Sequence, residues 1–246
     1  PQVERSSIKL DLHRRDFTIN TLALRLDGHH FGELYDYWGG YEDLQSGLIK
    51  VLHSLSFVDD PTRLIRAIRF EQRFKFRIEE RTFQLMEEAK DLINQVSGDR
   101  IRHELNLILS EPEVKAPIMR LQELNFLHQI HPNLSIESEI IDKVEKIIKL
   151  TIDPVWQFPD YNGTSKINLL LGMITWFMFL KTNPRPICKR LRTPSIVTES
   201  CFKGQQILKP IQEIANKKPS EITEFLDSLS PYLLFILYHT VEDPQL

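Results

Sequence analysis

Along most of this 246-residue chain apolar residues recur every three to four positions, and polar, Pro- or Gly-containing breaks cut that rhythm into helices. The spacing predicts helices over residues 60–74, 79–95, 98–109, 114–124 and 137–150. In the first, Leu64, Ile65, Ala67 and Ile68 share a face, Pro61 fits the first helical position, and Asp60 stands before it as N-cap. In the third, Ser97 is a capping residue, Ile101, Leu105 and Ile108 face one way, and Arg100, Arg102 and Glu104 the other. Ile140, Ile141, Val144, Ile147 and Ile148 repeat the pattern in the fifth, with Lys143, Lys146 and Lys149 on its wet side. The apolar run 167–180 contains Gly172 and Thr175 and is too short to span a bilayer comfortably, so it reads as a buried helix with Trp176 and Phe177 in the core. Further helices are expected near 195–208, 220–229 and 231–241, and the breaks near 132–135 and 153–163 are the expected boundaries.

The first 54 residues are patterned differently. Leu12, Ile19, Leu22 and Ala23 fall at helix-like intervals over residues 11–24, around the polar cluster Arg14, Arg15, Asp16 and Asn20. Gly28 and His29–His30 form a turn, residues 31–37 and 48–53 read as strands, and Gly39–Gly40 and a short helix over 41–47 separate them. Two strands with an exposed face do not make a stable sheet, so the rest of that sheet is expected upstream. The chain starts at Pro1, which fits a piece of something longer. The expected fold class is mainly α: a small α+β part (residues 1–54), a helical neck (55–133) and a helical body (134–246).

Composition narrows the functional classes. With 41% hydrophobic and 26% charged residues the chain is globular. A net charge of −3 excludes a blanket polyanion-binding coat and leaves only local patches. Two cysteines, Cys188 and Cys201, make neither a disulfide framework nor a metal-ligand pattern, which points to a reducing, cytoplasmic setting without a membrane partner. His103, His128 and His131 lack ligand spacing. One local patch is the connector 181–192, where Lys181, Arg185, Lys189, Arg190 and Arg192 occur without an acid; these, with Arg100 and Arg102, are candidate contacts for an RNA backbone. Solvated surface charge is the competing reading of every one of them.

The stretch D-D-P-T-R-L-I-R-A-I-R-F, residues 59–70, carries the sharper chemistry. An Asp one turn before an Arg at a helix start sets an acceptor beside a forked donor, a pair able to read the edge of a nucleobase; a capping Asp with solvated arginines is the plain alternative. This stretch follows R-R-D-F-T-I-N at 14–20 and G-E-L-Y-D-Y-W-G-G-Y-E-D-L at 32–44, and precedes S-G-D-R-I-R-H-E-L-N-L-I-L at 97–109. The four motifs in this order resemble the class II tRNA nucleotidyltransferase/poly(A) polymerase family, and the phrasing around residues 6–20 is similar to its long, multi-domain bacterial members. The resemblance covers roughly the first half of the chain; the C-terminal half is similar only in being helical.

The resemblance implies that residues 1–54 are the C-terminal part of a nucleotidyltransferase palm, and that the activity is template-independent addition of A and/or C to the 3′ end of tRNA or another RNA. It implies that Arg14, Arg15, Asp16 and Asn20 hold the sugar and triphosphate of ATP or CTP, that Asp60 and Arg63 read the base, and that Asp59 and Arg66 support them; Asp59 departs from the family's usual Glu. Arg69 is as readily structural as RNA-facing. It also implies Mg²⁺ held by a D-x-D, which occurs nowhere in this sequence. Catalytic and metal carboxylates are therefore expected outside this chain, which alone is expected to be inactive, its partners being RNA, a nucleoside triphosphate, and the catalytic portion or another copy. A non-catalytic RNA-binding module and a bacterial poly(A) polymerase are the alternatives, with a plain helical scaffold the third.

Overall fold

Helices do form where the apolar rhythm is strongest. The structure is a computed structural model and describes residues 7–153, 155–156, 158, 167–208 and 218–241, so most of the break expected at 153–163 lies outside the described residues. The chain divides into two units, Pro1–Val96 and Ser97–Leu246. This differs from the expected boundaries at 54 and 133. The loop at 132–135 does not separate two bodies: Leu134 and Ile136 beside it are buried, Trp176 Nε1 donates to the Ser135 carbonyl (2.9 Å), and Ile136 N–H donates to Gln122 Oε1 (3.2 Å).

The first unit opens with α1 (Ile8–His13), capped by Ser7 Oγ, which accepts from Leu10 N–H. The helix expected over 11–24 stops there. Asp16 Oδ1 captures the Phe17 N–H (3.0 Å) and Thr18 N–H donates to the Lys50 carbonyl (2.9 Å), so side chain and neighbouring strand outcompete the helical ladder. A 3₁₀ turn (Thr18–Asn20) follows, then β1 (Ala23–Leu24), paired antiparallel with β2 (Leu34–Tyr35). Next come α2 (Gly40–Gln45), β3 (Leu48–Ile49), α3 (Ser56–Asp59) and α4 (Thr62–Phe74). β4 (Arg77–Ile78) pairs parallel with β3, a strand that the helical reading of this region did not anticipate. α5 (Glu80–Ala89) and a 3₁₀ segment (Lys90–Gln95) complete the unit.

α4 is its structural axis. Leu64, Ile65, Ala67 and Ile68 are fully buried, each larger side chain contributing roughly 1.5–3 kcal/mol of apolar transfer. The helix ends at Lys75, which adopts the left-handed conformation (φ 57°) and so turns the chain into β4. Gly40 explains how α2 seats against the 3₁₀ turn: a Cβ there would stand 2.2 Å from the Thr18 carbonyl oxygen. Thr18 Oγ1 donates to the buried Asp43 (2.7 Å) across the same contact.

The second unit consists of α6 (Gly98–Leu109), α7 (Lys115–Glu123), α8 (Phe126–Ile130), α9 (Ser138–Lys149), α10 (Ile167–Met178), α11 (Arg185–Leu191), α12 (Ser195–Ile207) and helices Pro219–Asp227 and Pro231–Thr240. α10 is buried from Leu170 to Met178, and no helix among the described residues is long and apolar enough to cross a membrane. Gly172 lets α10 approach α9, since a Cβ there would meet Ile148 at 2.6 Å. Trp156 packs edge-on against Phe235, and Trp176 and Phe177 are fully buried. Glu104 is not on a wet face as its spacing suggested; it is 2% exposed.

Candidate functional site

Two separated motifs of the first unit meet at the entrance to α4. Asp16, buried at 7% exposure, accepts from Phe17 N–H and from Asn20 Nδ2 (2.7 Å) with Oδ1, and from Arg66 Nη1 (2.9 Å) with Oδ2. The Arg14 carbonyl accepts from Arg63 Nη2 (2.9 Å). Arg63 Nη1 also donates to Ser56 Oγ (2.6 Å) and to the Ser56 carbonyl (3.3 Å). Residues far apart in sequence thus arrive in one cluster, with Arg63 and Arg66 half-buried and the side chains of Arg14 and Arg15 exposed. Arg15 reaches back to Asp11 (3.1 Å).

The two adjacent acids behave differently. Asp60 Oδ1 accepts from both the Thr62 N–H (3.0 Å) and Thr62 Oγ1 (2.7 Å), so it caps the first residue of α4 although Pro61, not Asp60, stands at the N-cap position, and both bonds fall on one oxygen. Asp59 is exposed, with Oδ2 3.7 Å from His53 Nε2. Arg69 is buried and lies over the Phe70 ring, its guanidinium carbon 4.7 Å from the centroid, a structural placement.

Sequence reasoning missed three supports of this cluster. Ser56 is fully buried beneath Arg63. The Thr18–Asp43 pair and Gly40 lock the turn that follows Asp16; the Gly-Gly pair was the available signal, read only as a strand break. Asp36 accepts from the N–H groups of Gly40 (2.8 Å), Tyr41 (3.0 Å) and Trp38 (3.3 Å). Burial pushes its carboxyl up, but these amides outweigh that and hold it below the usual carboxylate range.

The candidate RNA contacts all lie in the second unit and are mostly engaged. The connector 181–192 contains α11, and acids from elsewhere in the unit answer its cations: Lys181 with Glu137 (2.5 Å), Arg185 with Glu199 (3.5 Å), and Arg192 with Asp99 (3.1 Å). Arg185 also stacks on Phe202, 3.6 Å from the ring centroid. Arg102 closes the end of α11, donating to the carbonyls of Leu191 (2.8 Å) and Arg192 and to Asp99 Oδ1 (2.8 Å). The hydrogen bond from Arg192, with Arg102 alongside, holds the Asp99 carboxyl low. Gly98 permits this approach, because a Cβ there would lie 2.0 Å from the Arg190 carbonyl oxygen. Arg190 is half-buried, and burial pushes its guanidinium's pKa down. Arg100 and Lys189 are exposed.

Residues 1–50 match the family model described as the poly A polymerase head domain, and residues 75–137 the model described as the probable RNA and SrmB-binding site of polymerase A. An A-adding tRNA nucleotidyltransferase of Geobacter sulfurreducens is 39% identical over 99% of this chain and 29% of its own length. Among solved structures, the Thermotoga maritima CCA-adding enzyme complexed with tRNA superposes with a TM-score of 0.73 at 30% identity, covering 98% of this chain and 59% of that one. This chain belongs to the tRNA nucleotidyltransferase/poly(A) polymerase family.

The chain spans under a third of that Geobacter nucleotidyltransferase and 57% of a CCA-adding enzyme solved in complex with ATP, to which it is 30% identical with a TM-score of 0.72. The helix-rich architecture is the one that this nucleotidyltransferase family shares. The metal that the family implies does not fit the described residues. Among the described residues no group of three His, Cys, Asp or Glu side chains could hold an ion, and Asp59 and Asp60 are committed in different directions.

Proposed function

We propose that this chain supplies nucleotide selection and RNA binding to a nucleotidyltransferase that adds A and/or C to the 3′ end of tRNA. The observation that carries this reading is the joining of the R-R-D-F-T-I-N motif to the α4 entrance, through Asp16–Arg66 (2.9 Å) and the Arg14 carbonyl–Arg63 contact (2.9 Å). Arg14 and Arg15, whose side chains are exposed, hold the triphosphate as fixed cations. Asp16 and Asn20 set the floor of the site and meet the sugar. Arg63 donates to the ring acceptor of A or C while Asp60 accepts from the neighbouring amino group. G and U present a carbonyl where that amino group would be, so Asp60 repels them. Arg66 neutralises Asp16, and Asp59 with His53 borders the site.

ATP or CTP is the substrate on this reading, and ATP and CTP complexes exist among the similar CCA-adding enzymes. Lys189 is the foremost RNA-backbone contact, with Arg100, Lys181, Arg185 and Arg190 secondary; Arg102 and Arg192 act by shaping the end of α11. Nucleotidyl transfer itself requires metal-bound carboxylates, and no such group occurs among the described residues.

ATP affinity of the chain, compared with Asp60→Ala and Arg63→Ala, tests the reading. Weakening by both variants is the expected result; tight binding that neither substitution changes removes the base-reading assignment. Robust incorporation by this chain alone from ATP, with tRNA and Mg²⁺ present, overturns the division of labour. RNA binding with no nucleotide selection in any assembly favours the non-catalytic module.

A further inference from the structure

We propose that Ser56 is the residue that sets nucleotide specificity from beneath, by fixing the spacing between the Asp60 carboxylate and the Arg63 guanidinium; this rests on Arg63 as the base reader. Ser56 opens the four-residue α3 and is fully buried. Its carbonyl accepts from two groups: the Asp60 N–H (3.2 Å) and Arg63 Nη1 (3.3 Å). Its hydroxyl oxygen accepts a short bond from the same Nη1 (2.6 Å). One buried residue therefore holds the backbone of the acid and the head of the base-reading arginine together.

The arithmetic of donors shows which edge of Arg63 remains. A guanidinium has five N–H groups. Ser56 Oγ and the Ser56 carbonyl take Nη1, and the Arg14 carbonyl takes one hydrogen of Nη2. Among the described residues, Nε–H and the second Nη2 hydrogen make no further hydrogen bond. Nε–H and the Nη2 hydrogen on its side make up the side-on fork, the edge that engages adjacent acceptors in bidentate fashion when the Arg14 carbonyl takes the other Nη2 hydrogen.

A free arginine side chain samples many rotamers and presents this fork in many orientations. Discrimination between an amino group and a carbonyl on a base needs one orientation relative to Asp60. Ser56 supplies it from a position that touches no nucleotide, so it is a positioning residue. Its removal changes selection before it changes anything else about the site, because the positive charge and the cap of α4 both remain.

The test is made in the whole enzyme, with Ser56→Ala and the volume-keeping Ser56→Cys, alone and combined with Arg63→Ala. The readouts are kcat and KM for ATP, CTP, GTP and UTP, with melting temperature as the control for folding. Loss of the acceptor is expected to cut discrimination against GTP and UTP about tenfold, through KM of the correct nucleotide, and to add nothing in the Arg63→Ala background. Either folded Ser56 variant with full discrimination overturns the proposal. So does a loss that is equal for all four nucleotides, or one that adds to that of Arg63→Ala; in both cases the base-reading role of Arg63 stands. Intact discrimination in Arg63→Ala overturns the base reading and the Ser56 role with it.

Discussion

Replacing Gly40 by Ala puts one methyl group against a backbone atom that cannot rotate away. Its Cβ would stand 2.2 Å from the Thr18 carbonyl oxygen and 3.0 Å from the Thr18 carbonyl carbon, with Leu22 Cδ2 at 3.4 Å. Contacts under 3.0 Å are essentially absent from real structures, so the turn Thr18–Asn20 or α2 must move by about 0.8 Å. That displacement stretches the buried Thr18 Oγ1–Asp43 bond of 2.7 Å. Overpacking of this kind costs about 1–3 kcal/mol, and loss of a hydrogen bond to a charged group about 1.5–3 kcal/mol. A combined cost near 3 kcal/mol corresponds to a fall of about 15 °C in the melting temperature of a unit this size. Asn20 and Asp16 border the displaced turn, so nucleotide affinity should drop as well. Gly39→Ala is the internal control. Gly39 has φ +71° but no atom near its virtual Cβ, so only the left-handed backbone penalty applies, about 1–2 kcal/mol. Calorimetry with ATP titration on both variants decides the matter. A Gly40→Ala protein that melts within about 2 °C of the parent, or more stably than Gly39→Ala, refutes the close-approach argument.

Asp16→Asn turns an amide N–H₂ or a weaker acceptor toward Arg66 and should cost about 2–4 kcal/mol in urea unfolding; a loss below about 0.5 kcal/mol discards Asp16–Arg66 as a strut. Asp36 titrates below its ordinary value in the folded chain, so its contribution is complete above the unfolded carboxylate pKa of about 3.9 and disappears as pH falls through the lower folded value. Asp36→Asn should therefore flatten the acid limb of stability measured by urea midpoints, and an unchanged limb removes the role of these three amide bonds. Arg102→Ala should destabilise the second unit by about 1–2 kcal/mol, without rescue by Lys, which lacks the fork. Lys189→Ala should leave stability alone and reduce the salt dependence of RNA binding by about one unit of slope, and the reverse pattern would exchange their roles.

Much of the second unit was legible because a buried helical face must repeat at 3.6 residues: α6, α9 and α10 fall where Ile101–Ile108, Ile140–Ile148 and the run from residue 167 put them. The entrance to α4 was legible too, since Pro61 and Asp60 carry local geometry in their own side chains. β2 and β3 fall inside the strands expected at residues 31–37 and 48–53, but β1, β4 and the turn at residues 14–20 were not legible. Their conformation depends on partners far along the chain, Lys50 for Thr18 and Arg66 for Asp16, and periodicity in one segment holds no information about them. The same applies to Glu104, polar in pattern yet buried, and to the cations of residues 181–192, whose acids Asp99, Glu137 and Glu199 come from elsewhere in the unit. Local sequence determined which residue types stand at each helix start and which face turns inward. Only the tertiary structure decided which charges are answered, because Coulomb attraction acts through space and is blind to distance along the chain.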